Sequence, residues 1–134
     1  MFPFEFTVTG PPISLQTKNK ARLRQWKDKV LKAAKSSWNS ENVSYKDPLT
    51  ISITYFYETE PPDVDNIIKP IQDALIGLIY EDDSQIVSAK STKKDINGSY
   101  RIRWMSTVLA KAFCQGDDFL YIKISVPQNE EVLE

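Results

Sequence analysis

The chain has 134 residues, with 17 Lys and Arg against 18 Asp and Glu for a net charge of −1, no histidine, and a single cysteine, Cys114. That length bounds one domain with a modest core. The missing histidine excludes Ser-His-Asp and Cys-His nucleophilic sites, histidine zinc sites and histidine general bases, so hydrolytic chemistry here has to run on carboxylates, lysine and a hard cation.

One cysteine excludes an intrachain disulfide and fits a reducing cytoplasm; its expected role is that of a buried small hydrophobe. No run reaches the roughly eighteen apolar residues of a membrane span, and the N-terminus lacks the pattern of a secretory leader. Neither a membrane nor a small-molecule cofactor is expected.

Phe4, Phe6 and Val8 alternate with Glu5, Thr7 and Thr9, so Phe2 to Thr9 is expected to form a first strand with one wet face, ended by Gly10-Pro11-Pro12. Thr17 to Trp38 is expected to be a long helix with Leu23, Trp26, Val30, Ala34 and Trp38 along one side. Its remaining surface carries Lys18, Lys20, Arg22, Arg24, Lys27, Lys29, Lys32 and Lys35, opposed only by Asp28. Charge runs are usually solvated faces. Helix faces laced for stability mix their signs, however, and bases packed this densely repel unless an anion binds, which favours a phosphate-facing surface.

Ser40 to Asp47 is a polar loop, and Leu49 to Tyr57 alternates cleanly enough to be a strand. It leads straight into PPDVDNIIKPIQDALIGLIYEDDSQ, Pro61 to Gln85. In an extended backbone Asp63 and Asp65 point the same way, and two carboxylates that close require something positive nearby. A helix follows, capped by Asp65 or Asn66, with Ile67, Ile68, Ile71, Leu75 and Leu78 as its apolar face. Pro70 removes a donor and predicts that regular helix begins only near Lys69, while Gly77 marks its end.

Lys69 lies four residues after Asp65, about one turn, so its ammonium reaches the same pocket. Asp82-Asp83-Ser84 then forms a polar turn. Each acid alone is more often a cap or turn residue than a catalyst. Between Glu58 and Asp83, however, eight acids face one base, a density that calls for a cation. Oxygen-only ligands suit Mg²⁺, with Mn²⁺ as a substitute, and Mg²⁺ characteristically shares its shell with substrate phosphate.

Beyond the motif, Ile86 to Lys94 is expected to be a strand bearing Lys90, Lys93 and Lys94, with Asn97-Gly98 as a turn. Met105, Val108, Leu109, Ala112 and Phe113 fall at helical spacing before Gly116, and Phe119 to Val126 closes the chain as a strand. The expected fold is a single α+β domain over 1–134, a mixed sheet with helices packed on it, in the order β-α-β-α-β-α-β. Residues 127–134 form an acidic tail.

The spacing D-V-D-N-I-I-K-P-I-Q-D-A-L, followed after six residues by D-D-S-Q, resembles the core motif of the RusA-type Holliday junction resolvases. The resemblance is strong over Pro61 to Gln85 and weak at Gly10-Pro11-Pro12. It implies Asp63, Asp65 and Asp83 as essential acids with Asp82 beside them, Lys69 as an active-site lysine, and a homodimer that nicks two strands symmetrically. The stretch from Tyr100 to Asp118 departs from the short hairpin expected of the family and reads as an insertion.

The function so implied is a Mg²⁺-dependent, structure-selective endonuclease that resolves four-way DNA junctions in recombination and repair. Asp63, Asp65, Asp82 and Asp83 are the expected metal ligands, and Asp63, Asp65, Lys69 and Asp83 the catalytic set. Lys18, Lys20, Arg22, Arg24, Lys27, Lys29, Lys32, Lys90, Lys93 and Lys94 are the expected DNA contacts. Two alternatives stand beside it: a nuclease for other branched DNA or for RNA, and a non-catalytic DNA-binding protein that keeps the acids as a structural ion site.

Overall fold

Period-two apolar patterning in three of its four strands builds the sheet on which everything else sits. The structure, a computed structural model, describes residues 2–39, 43–58, 65–96, 106–115 and 117–127. The elements run β1 (Phe4–Thr9), α1 (Lys20–Ser37), β2 (Leu49–Tyr57), α2 (Asp65–Leu75), a single 3₁₀ turn (Asp83–Gln85), β3 (Ile86–Asp95), α3 (Thr107–Gln115) and β4 (Phe119–Ser125). This is the expected α+β order.

The strands lie in the order β1-β4-β2-β3. β4 pairs antiparallel with both β1 and β2, while β3 pairs parallel with β2 and is an edge.

Alternation gives the sheet two unlike faces. Phe4, Phe6 and Val8 of β1, Leu49, Ile51, Ile53 and Tyr55 of β2, and Leu120, Ile122 and Ile124 of β4 are buried under α1 and α2. α1 contributes Trp26, Val30 and Ala34 to this core, and α2 contributes Ile67, Ile71 and Leu75. The other face is polar along most of its length: Thr50 and Ser52 of β2 stand beside Ser88 and Lys90 of β3 and Ser125 and Lys123 of β4. Together these line a shallow cleft of ≈ 410 Å³. Among the described residues, cover for this face comes at one end, where Phe56 and Phe119 pack with Leu109 and Ala112 of α3. The helix inside the expected insertion is therefore a cover for the second face of the sheet.

α1 begins three residues later than expected. Asn19 caps it by accepting a hydrogen bond from the Arg22 N–H at 3.1 Å, which leaves Lys18 outside the helix. Trp38 closes it, its N–H donating to the Ala34 carbonyl at 2.9 Å.

α2 corrects a second expectation. Regular helix starts at Asp65, with Pro70 inside it. Proline at this position leaves the carbonyl four residues earlier, that of Asn66, without its helical donor. The Leu15 N–H, from the loop after β1, donates to that carbonyl at 3.0 Å. A long-range bond thus fills the gap that Pro70 makes.

At the other end Gly77 adopts φ +90 and donates its N–H to the Tyr80 carbonyl at 2.7 Å, the left-handed exit that glycine permits.

Cys114 is exposed on α3, not buried as expected, because the buried side of that short helix falls on Leu109 and Ala112. The expected turn at Asn97-Gly98 lies outside the described residues. No described helix is long and apolar enough to cross a membrane.

Candidate active site

Two elements meet to make the site: α2, and the 3₁₀ turn that precedes β3. Both are held rigidly.

Tyr80, between them, is fully buried, and its hydroxyl donates to the Gln72 carbonyl at 2.6 Å. That carbonyl belongs to the last turn of α2 and has no donor within the helix. Burial pushes the Tyr80 hydroxyl pKa above its ordinary value, with the nearby charges of Asp73 and Asp83 adding to it, so the group stays a donor. The Tyr45 N–H meets the Ile79 carbonyl at 2.7 Å and ties the same stretch to the loop before β2.

Gln85 fixes the turn itself. Its Oε1 accepts from the backbone N–H groups of Glu81 at 2.8 Å and Asp82 at 3.0 Å. Its Nε2 donates to the carbonyls of Tyr45 at 2.8 Å and Asp47 at 3.0 Å. One side chain thus stitches the acidic turn to a loop some 40 residues earlier in the chain.

Asp82 caps the turn, accepting from the Ser84 N–H and hydroxyl. Those hydrogen bonds, the hydroxyl's first, pull its carboxyl below the usual carboxylate range.

With the turn so held, Asp83 faces α2 and accepts a hydrogen bond from Lys69 Nζ. Lys69 also pairs with Asp73 Oδ1 at 3.0 Å, one helical turn on. The second oxygen of Asp73 lies 3.6 Å from Lys27 Nζ of α1. The result is a chain of alternating charge, Lys27–Asp73–Lys69–Asp83, running from the basic helix to the acidic turn. Hydrogen bonds to Asp83 and then Asp73 raise the Lys69 pKa above its ordinary value, which keeps the ammonium charged.

Of the expected catalytic set, the structure brings Lys69 and Asp83 together. Asp65 opens α2, one turn before Lys69, but its side chain lies outside the described residues, as does Asp63 entirely. Among the described residues no group of three His, Cys, Asp or Glu gathers around a cation site. The donors described are Asp82 and Asp83, and both offer carboxylate oxygens only. That chemistry fits a hard divalent cation.

The expected DNA contacts divide. Lys20, Arg22, Arg24, Lys29 and Lys32 are exposed on α1, and Lys18 is exposed just before it. Lys32 pairs with Asp28 at 2.9 Å. Lys27 is half-buried against Asp73. Lys20 and Arg24 stand seven and three residues before Lys27, on the flank next to α2, whereas Arg22 and Lys29 fall on the far flank. On β3, alternation puts Lys93 on the α2 side of the sheet, and Lys90 and Lys94 on the other, where their register partners are Ser52 and Phe56.

Two residues of the site have roles that the sequence did not suggest. Asp73 could have been found, since it follows Lys69 by four on a helix. Gln85 closes the D-D-S-Q motif, yet spacing says nothing of what it holds, because its partners are distant in sequence.

The arrangement places a fixed ammonium against a carboxylate at the end of an acidic, histidine-free motif. The family model described as Endodeoxyribonuclease RusA matches residues 6–103. The chain belongs to the RusA endodeoxyribonuclease family. The match runs from within β1 through β3 and ends before α3 and β4.

Among curated proteins the chain is 30% identical to "Crossover junction endodeoxyribonuclease rusA" of Lactococcus phage r1t, over 69% of this chain and 87% of the phage protein. It is also 57% identical over 35 residues to "Uncharacterized protein YqaN" of Bacillus subtilis (strain 168), a match that spans 25% of that protein. The RusA resemblance read from the motif is thereby confirmed.

Proposed function

We propose that this RusA family member is a Mg²⁺-dependent endonuclease that resolves four-way DNA junctions by paired nicks, acting as a homodimer in cytoplasmic DNA recombination and repair. The observation that carries the reading is Lys69, anchored on α2 and presented to Asp83 across a turn that Gln85 holds in place. Membership of a nuclease family makes phosphodiester cleavage the chemistry that such a pair serves.

Asp83 and Asp82, with Asp63 and Asp65 from the start of the acidic motif, are the carboxylates proposed to hold the cation. Bound there, Mg²⁺ would polarise the scissile phosphate and lower the pKa of an attacking water. Lys69 supplies a preorganised positive charge for the developing oxyanion and is fixed before substrate arrives. Lys20 and Arg24, on the α1 flank beside α2, are placed to take phosphates leading into the site, and Lys93, on the α2 side of the edge strand, is a further phosphate contact on that side of the sheet.

Two sites related by a twofold axis would deliver the two symmetric cuts. Residues 1–134 are read as one nuclease unit in which the segment around α3 is an addition to the family core.

The test is a panel of end-labelled substrates: a four-way junction, a flap and a linear duplex, each with and without Mg²⁺. The expected result is Mg²⁺-dependent, symmetrically paired nicks on the junction, with little cutting of the duplex. Equal cleavage of all three, or cleavage of the flap alone, contradicts the reading.

A further inference from the structure

Lys69 holds two carboxylates that are not equivalent. Asp73 sits on the same helix, four residues on, so its distance of 3.0 Å is set by the rigid geometry of α2. Asp83 sits on a different element, and its hydrogen bond from Lys69 depends on how the turn docks. Asp83 is also the carboxylate proposed above to bind the divalent cation, and an ammonium in contact with it occupies the space and charge that a cation needs. Lys69 cannot stay there unchanged, because two positive centres on one carboxylate repel.

Asp73, by contrast, stands outside the proposed ligand set. Its side chain is only 25% exposed against 44% for Lys69, and its other oxygen is neutralised by Lys27 at 3.6 Å. It is a sheltered, charge-balanced acceptor that persists when Asp83 is taken.

We infer that Asp73 is a positioning residue: it holds Lys69 at the site when Asp83 passes from the lysine to a divalent cation. This rests on the metal-dependent reading and adds a role to a residue outside the cation's ligand set. Without Asp73, Lys69 has Asp83 as its remaining acceptor among the described residues. It then competes with the cation for that carboxylate and, once displaced, swings away from the phosphate. With Asp73, the lysine gives up one bond, keeps the other, and remains close enough to serve the reaction.

Calorimetric titration of the full chain with MgCl₂, and separately with MnCl₂, in the absence of DNA tests this as a double-mutant cycle. Asp73→Asn should weaken cation affinity by about three- to tenfold, the scale of a half-exposed charged hydrogen bond. In a Lys69→Met background the same change should leave affinity where Lys69→Met alone puts it. Asp73→Glu should keep most of the wild-type affinity.

An equal loss in both backgrounds would mean that Asp73 acts only as a nearby negative charge, and no loss in either would mean that it does not act on the site. Both overturn the inference. Wild-type protein that binds neither cation removes the metal-dependent reading itself, a distinguishable failure.

A second readout needs no variant. The Lys69 ammonium resonance, followed by ¹⁵N NMR, should stay protected from exchange as Mg²⁺ saturates the wild-type protein. Its loss into rapid exchange on saturation contradicts the hand-over.

Discussion

The two faces of the sheet are made from the same strands yet do opposite things. On one, Ile51, Ile53, Ile122 and Ile124 lie under α1 and α2, and that packing fixes Lys69 of α2 against Asp83 of the turn. On the other, Thr50, Ser52, Lys90, Lys123 and Ser125 meet solvent across a shallow cleft, and α3 provides cover at one end. Both faces carry lysines. What separates them is restraint: Lys69 is held by two carboxylates on two packed elements, while Lys90 and Lys123 project from exposed strand positions. A charge serves a transition state only if its position is fixed beforehand, so the helix-covered face is the one proposed to carry the chemistry.

The largest expected contrast is in rate. Lys69→Met should fold and bind a four-way junction, yet lose on the order of 10²–10³ in single-turnover cleavage, the cost of removing one preorganised charge. Lys90→Ala with Lys123→Ala, on the open face, should change that rate by less than about threefold, since neither side chain is fixed at the site. A larger effect from the open-face pair would reverse the assignment of the faces.

Stability should divide the same way. Ile71 is fully buried in α2, and Ile71→Ala should cost about 2–5 kcal/mol in urea unfolding. Thr54→Ala, on the opposite face of β2, should stay within about 1 kcal/mol.

The comparison sharpens on α1, whose two flanks differ in the same sense. Lys20→Glu with Arg24→Glu, beside α2, should lower the slope of log affinity against log salt by roughly 0.9 for each phosphate the helix no longer neutralises. Arg22→Glu with Lys29→Glu, on the far flank, should move it much less. Equal slopes would make α1 a diffuse basic surface and not a path into the site.

The smallest effect concerns pH. The Lys69 pKa is raised above 10.5 by its bonds to Asp83 and Asp73. A raised folded-state value means that its contribution to stability is complete below the ordinary lysine pKa and lost as pH climbs through the raised one. The stability difference between wild type and Lys69→Met should therefore be flat from neutral pH to about pH 9, given an ordinary lysine value near 10.4. A decline within that window would show that the ammonium is not held as described.

The sequence made some of this legible and hid the rest, for physical reasons. The bounds of β2 were readable because Leu49 to Tyr55 alternates without a break, and the presence of α1 because its apolar stripe recurs at three and four. The start of α2 was not, because the local penalty of Pro70 is offset by Leu15, more than fifty residues away. Cys114 misled because composition says where cysteines usually lie, whereas the short α3 has room to bury only one side.

At the site, Lys69 and Asp83 could be named from motif spacing, but their contact depends on Gln85 reaching Tyr45 and Asp47. The strand order β1-β4-β2-β3 likewise rests on pairings between the two ends of the chain, which local periodicity cannot show.

The most direct test of the account is cleavage of one labelled four-way junction by Asp83→Asn beside wild type, in Mg²⁺, under single-turnover conditions with binding measured on the same samples. Asp83→Asn is expected to bind the junction as tightly as wild type or tighter, since a negative charge facing phosphate is gone, and to produce no detectable nicks. Cleavage by Asp83→Asn at the wild-type rate would contradict it, and would place the chemistry somewhere other than between α2 and the acidic turn.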